Sequence, residues 1–195
     1  MGSVVTDRLD ELTADVFDGP QVALPQMLDA RERRAREQAR MLAGAEPGEC
    51  LLALTLSVPG PVKTSVALMG AFDELLDEAV CALDDARVTQ SIRYGGSTGP
   101  ECLMLVGMDA RELKRRMVAI EQTHPLGRLA DLDVLERTDA GLRSVSRTEL
   151  GFAARTCLLC GGEAKACARS RAHTVAAMQR KIATIIEEGG TKDRG

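Results

Sequence analysis

Leu129-Ala130-Asp131-Leu132-Asp133-Val134-Leu135 reads as a strand, and it completes the pattern that decides the fold. Just upstream, Asp109 is a helix N-cap with Glu112 three residues on, which predicts a helix through Leu113, Met117 and Ile120 to about Gln122. Before it come two further strands, Arg87 to Tyr94 and Cys102 to Gly107, joined by the loop Gly95-Gly96-Ser97-Thr98-Gly99-Pro100. Earlier still, the apolar run Cys50 to Val58 is closed by Pro59-Gly60-Pro61, the mark of a short strand ending in a turn. Lys63-Thr64-Ser65 then opens a helix to about Asp85, with Leu68, Phe72, Leu75, Leu76 and Ala79 at helical spacing.

The order βαββαβ is the split βαβ arrangement. It predicts an α+β fold, ferredoxin-like or nucleotidyltransferase-like, with two helices on one face of a four-stranded antiparallel sheet and a core at about 48–137. Leu24-Pro25 and Gly44 bracket a helix before the core, rich in arginine: Arg31, Arg33, Arg34, Arg36 and Arg40. After the core, Gly141 to Leu150 reads as a short hairpin, followed by a cysteine cluster. A final helix is predicted from about His173 to Glu188, with Val175, Met178, Ile182, Ile185 and Ile186 as its apolar face. This subregion, about 151–190, would pack against the core within a single domain of 1–195. The tail Gly189 to Gly195 is expected to be disordered.

Composition excludes several classes. Aromatics are 2% of the 195 residues, too few for base-stacking platforms, and the net charge of −4 is wrong for a nonspecific nucleic-acid binder. No apolar run approaches the length of a membrane span, and no signal peptide is evident, so a cytoplasmic protein is expected. Met1 to Thr6 fits a loose myristoylation pattern, but acidic residues follow and no polybasic patch supplies a second membrane signal. Cys50, Cys81 and Cys102 lie among apolar residues and read as buried thiols.

Asp131 and Asp133, two apart on a strand, point to the same side. Like charges so placed repel unless a cation lies between them, and Mg²⁺ carrying substrate phosphates suits two carboxylates. Upstream, Gly127 would let backbone approach a phosphate and Arg128 could bind one bidentately. Arg31, Arg34 and Gln38 share a helix face, which is either a solvated surface or a phosphate or carrier contact. Lys63 sits where a helix N-terminus favours anions, though Lys63-Thr64-Ser65 also reads as a plain turn with a Thr cap, and the spacing is not that of a Walker loop. The Gly95–Gly99 loop is expected only to join two strands. His124 has the pKa class of a general base, and reads equally as a phosphate donor or a structural residue beside Pro125. Cys157, Cys160, Cys167 and His173 are spaced as a tetrahedral zinc set; packed thiols or a redox pair are the other readings.

The stretch His124 to Val134 resembles the signature of the citrate lyase holo-acyl-carrier-protein synthases, the apo-citrate lyase phosphoribosyl-dephospho-CoA transferases. The resemblance covers most of the chain. Leu28, Arg31, Glu32, Arg34 and Gln38 match an early Arg-rich segment. Val58, Pro59-Gly60-Pro61 and Lys63 match a turn after the first strand, and Glu121 precedes the acidic motif. Arg155, Cys157-Leu158-Leu159-Cys160, Cys167 and His173 match a cysteine segment. Gly151-Phe152-Ala153-Ala154 departs from the family's proline-rich approach to Arg155.

The resemblance implies transfer of a 5′-phosphoribosyl-dephospho-CoA group from its triphosphate precursor to a serine of the acyl carrier subunit of citrate lyase, with release of pyrophosphate. Asp131 and Asp133 would hold Mg²⁺, and Gly127, Arg128, Lys63, Arg31 and Arg34 would hold the donor. Two rival functions are a nucleotidyltransferase using an ordinary nucleoside triphosphate and a non-catalytic zinc-knuckle module that binds protein.

Overall fold

The computed structural model describes residues 2–190. Its core is one antiparallel sheet of five strands, in the order β2-β3-β1-β4-β5: β1 (Cys50–Leu56), β2 (Arg87–Tyr94), β3 (Glu101–Gly107), β4 (Ala130–Thr138) and β5 (Gly141–Ser144). The first four strands have the expected split βαβ order. The fifth is a correction. The segment from Gly141 is not a separate hairpin; it turns back on β4, pairing Leu135 with Ser144 and Thr138 with Gly141. All four β5 residues are exposed, so no buried face marked this strand in the sequence.

Helices α3 (Val66–Cys81) and α4 (Ala110–Thr123) cover one face, with Phe72, Leu75, Leu113 and Met117 packed on Leu52, Leu54, Met104 and Val106. Both start at side-chain caps: α4 at Asp109 as expected, α3 at Ser65, one residue beyond the expected Thr cap. Ser65 Oγ accepts from Leu68 N at 3.1 Å, and Asp109 Oδ1 accepts from Arg111 N and Glu112 N, both at 3.0 Å. Ser65 also donates to Val16 O at 2.6 Å.

The opposite face carries α2 (Leu24–Ala43), entered through Pro25 and ended at Gly44. Its last turns bury Met41 and Leu42 on Leu51, Ala53, Leu103 and Leu105. The sheet is therefore sandwiched, apolar on the α3/α4 side along its whole length but apolar on the α2 side only at one end.

Three elements lay outside the sequence prediction or moved from it. Helix α1 (Gly2–Val16) was not expected; Leu12 and Val16 pack into the core, and α1 lies along α6 (Val175–Gly190). Arg8 with Glu187 and Arg180 with Asp10 pair across these two helices, each at 2.8 Å. A short helix, α5 (Ala164–Ser170), follows Cys160 and carries Cys167. Gly189 and Gly190, expected in a disordered tail, belong to α6; residues 191–195 and the side chains of 1–6 lie outside the described residues. Cys50 and Cys102 are buried as expected, but Cys81, on the last turn of α3, is exposed. No described helix is long and apolar enough to cross a membrane.

Candidate active site

β4 presents Leu132 and Val134 to the α3/α4 side, so Asp131 and Asp133 face α2. Register puts Asp131 beside Thr55 and Asp133 beside Ala53 on β1, and Thr55 beside Glu101 on β3. This is the polar end of the α2 face. Arg31, Arg34 and Gln38 of α2 line a 250 Å³ cavity whose floor is Thr55, Asp131 and Asp133. The shared helix face read from their spacing thus lies over the acidic pair.

A second cavity, 400 Å³, continues from Asp131, Arg31 and Arg34 to Lys63, Thr98 and Gly99. The Lys63 ammonium donates to Val58 O at 2.5 Å. Burial, and Arg31 nearby, bring its pKa down. Gly99 adopts φ +97°, a conformation suited to glycine, and lies against the Lys63 backbone. The Gly95–Gly99 loop joins β2 and β3, as expected, and also forms one wall of this cavity.

A third cavity, a 660 Å³ cleft, lies beyond the acidic pair on the other side of β4. Strand β5 pairs with β4 only from Leu135 onward, which leaves the first half of β4 as an edge. Two cations close that edge: Lys114 Nζ donates to Leu132 O at 2.6 Å, and Arg155 Nη2 to Ala130 O at 2.6 Å. Arg155 Nη1 also lies 3.8 Å from Asp131 Oδ1. Asp131 lines all three cavities. The Asp133 side chain reaches solvent, yet the cavity walls displace much of its water, and this, with the charge of Asp131, raises its carboxyl above the usual carboxylate range. Two hard oxygen donors side by side fit a divalent cation.

Glu101 is a residue that sequence reasoning missed. It is 1% exposed. Its carboxylate pairs with Arg33, and its Oε2 accepts from Arg34 Nε at 2.5 Å. Arg33 stacks over Tyr94, 4.1 Å from the ring centroid. A carboxylate buried under two guanidinium groups fixes α2 on the sheet and aims Arg34 at the cavity. In sequence it is one acid after Pro100; only the β1–β3 register places it beside Thr55.

Other expected residues lie elsewhere. Gly127 is buried in a 3₁₀ turn (Gly127–Leu129), where a Cβ would come within 2.2 Å of Ile120 O. Its lack of a side chain serves the contact of this turn with α4. Arg128 donates to Thr156 Oγ1 at 3.2 Å and Thr156 O at 2.8 Å, while Arg155 donates back to Arg128 O at 2.8 Å. This reciprocal clamp joins the cysteine segment to the start of β4. His124 caps α4, and its Nδ1 accepts from Leu126 N at 3.1 Å. None of Gly127, Arg128 and His124 lines the three cavities around Asp131.

Cys157, Cys160, Cys167 and His173 do come together, with their ligand atoms all within 4.8 Å of one another. Cys160 Sγ and Cys167 Sγ are 3.5 Å apart; zinc at about 2.3 Å from each of two sulfurs in a tetrahedron would hold them about 3.8 Å apart. Backbone amides of Cys160 and Leu159 donate toward the Cys157 sulfur and lower its pKa to about 6. His173 Nε2 is buried with no hydrogen-bond partner. A buried nitrogen left unpaired beside three thiols fits a metal site.

The model of the apo-citrate lyase phosphoribosyl-dephospho-CoA transferase family matches residues 22–189. This chain belongs to that family. A probable apo-citrate lyase phosphoribosyl-dephospho-CoA transferase of Streptococcus pyogenes is 40% identical over 177 residues, 91% of this chain and 92% of that protein. The Escherichia coli apo-citrate lyase phosphoribosyl-dephospho-CoA transferase is 30% identical over 86% of this chain and 90% of its own length. The family also occurs within longer chains: protein CitXG of Haemophilus influenzae is 34% identical over 87% of this chain but only 36% of its own length. The family match spans α2, the whole sheet and the cysteine cluster, and so includes every residue of the site described above.

Proposed function

We propose that this chain transfers 5′-phosphoribosyl-dephospho-CoA from 2′-(5″-triphosphoribosyl)-3′-dephospho-CoA to a serine of the apo acyl carrier subunit of citrate lyase, releasing pyrophosphate. The observation that carries the reading, beside family membership, is the acidic pair on β4 lying under the cations of α2 and Lys63. Asp131 and Asp133 would hold Mg²⁺, which when bound supplies charge neutralisation for the triphosphate. Arg31, Arg34 and Lys63 bind the phosphate oxygens and stabilise charge on the leaving group. The carrier serine oxygen attacks the α-phosphorus, the bond to the β-phosphate oxygen breaks, and pyrophosphate departs. The serine proton leaves to solvent; His124, expected as the base, lines none of the cavities around Asp131 and has its Nδ1 engaged by the turn. Gly127 and Arg128 contribute by fixing the entrance to β4.

Zn²⁺ at Cys157, Cys160, Cys167 and His173 would have a structural part, holding the segment that delivers Arg155 to Asp131. Use of a carrier protein and reduced thiols agrees with a cytoplasmic setting.

Mass spectrometry of the apo-carrier after incubation with this protein, Mg²⁺ and the donor tests the reading. A phosphoribosyl-dephospho-CoA adduct on serine is expected, and Asp131→Asn and Asp133→Asn should each abolish it while circular dichroism stays unchanged. Normal transfer by both variants would sink the metal assignment. Pyrophosphate release with ATP or GTP in place of the donor would favour an ordinary nucleotidyltransferase, and indifference to Mg²⁺ with no pyrophosphate release from any donor would favour a binding module.

A further inference from the structure

The donor named above carries two polyphosphates: the triphosphate on the added ribose, and the diphosphate that joins adenosine to pantetheine in any dephospho-CoA. One polyphosphate site cannot satisfy both. The structure has cations on both sides of the acidic pair. On the α2 side they are Arg31, Arg34 and Lys63. On the other side, the 660 Å³ cleft has Lys114, Arg147 and Arg155 along its inner wall and Lys165 and Arg169 of α5 at its rim.

The cleft also contains four acids, two of them paired. Glu121 pairs with Arg147 at 3.1 Å, and Asp131 faces Arg155. Asp133 belongs to the metal pair proposed above. Glu163, at the N-terminus of α5, is the remaining carboxylate. Against it stand Lys165 and Arg169, for which no ion pair forms among the described residues. Arg147 Nε is buried without a hydrogen-bond partner, an unmet donor on the same wall. A cleft of this volume is in the range of small-ligand sites, and unpaired cations with a vacant donor call for an anion with several oxygens.

We infer that this cleft, built by Arg147, Lys165 and Arg169, is a second anion subsite that binds the bridging diphosphate of the donor's dephospho-CoA part, while the α2 side binds the triphosphate. The inference rests on the proposed transferase reading, in that Asp131, shared by the cavities, marks where the two halves of the donor meet. The only other diphosphate in the reaction is the released pyrophosphate, and the test separates the two.

The experiment is isothermal titration of the full chain with dephospho-CoA, inorganic pyrophosphate and inorganic tripolyphosphate, each alone and without carrier. Lys165→Gln/Arg169→Gln alters two cations on the exposed rim, so the fold should be retained, with circular dichroism as the check. The double variant should bind dephospho-CoA at least tenfold more weakly and tripolyphosphate within twofold of the unaltered chain. Arg31→Gln should show the reverse. Dephospho-CoA binding unchanged by the double variant overturns the inference. Weakened pyrophosphate binding with unchanged dephospho-CoA binding also overturns it and makes the cleft a leaving-group site. Because these titrations need no carrier, failure of carrier labelling would count against the transferase reading and not against the subsite.

Discussion

Replacing Glu101 by Gln removes the negative charge shared by Arg33 and Arg34 while keeping the shape of the side chain. Breaking a fully buried ion pair costs about 3–5 kcal/mol. Here the carboxylate side chain is 2% exposed, but the arginines are 33% and 27% exposed, so water takes up part of the lost interaction. The glutamine leaves the two guanidinium groups a single acceptor oxygen to share, and its NH2 faces one of them. A loss of about 1–2 kcal/mol is therefore expected, or about 2–8 °C in Tm for a chain of this length. The effect on activity should be selective. Arg34 lines the cavity over Asp131 and Asp133 and would lose its orientation, so KM for the donor should rise about tenfold, which is about 1.4 kcal/mol of binding, with a smaller change in kcat. Glu101→Asp, which keeps the charge one methylene short, should recover part of the KM loss. Differential scanning fluorimetry and a continuous pyrophosphate-release assay give both numbers. A drop in Tm with unchanged KM would refute the positioning role and leave Glu101 as a structural ion pair. No change in either would refute the geometry itself.

Three further outcomes are expected. Gly127→Ala forces a methyl group against Ile120 O, with no flexible side chain to yield, and should cost about 1–3 kcal/mol; a melting temperature within a degree of the unaltered chain would contradict the packing. An acid whose folded pKa is raised holds its proton more tightly in the native state, so metal-free protein loses stability as pH rises from the ordinary carboxylate range through the raised Asp133 value. Asp133→Asn should therefore raise the Tm of chelator-treated protein at pH 7 while abolishing transfer, and a lowered Tm would speak against the crowding of that carboxylate. Elemental analysis should find one zinc per chain, lost in Cys160→Ser together with about 5–10 °C of Tm; full metal content in that variant would exclude the four-residue site.

The legible parts of the fold were those with local chemistry. Pro25 and Gly44 bracket α2, Asp109 caps α4, and Pro59-Gly60-Pro61 stops β1, all within a few residues of the boundary they set. β5 was hidden because Gly141–Ser144 is exposed on both faces, so period-2 burial could not mark it. The site divided in the same way. Asp131, Asp133 and the Arg31/Arg34 face depend on spacing along one element, and spacing is visible. Glu101, Lys114 and Arg155 act through registers and sequence separations that no local pattern encodes. Gly127 and Arg128 were expected at a phosphate because they sit just upstream of the acidic pair; in the fold they shape the turn that feeds β4 and do not line the cavities.

The half-open edge of β4 has a consequence for how the protein behaves in concentrated solution. An edge strand with free carbonyls is a template for pairing with another chain, and here it is the strand that bears both carboxylates. Lys114 and Arg155 occupy the outward carbonyls of Leu132 and Ala130, so an incoming strand finds charged side chains where it needs acceptors. The same two cations thus leave the acidic pair open to small solutes and close it to other polypeptide backbones. Variants that truncate Arg155 would be expected to gain a tendency to self-associate at high concentration, separately from any effect on chemistry.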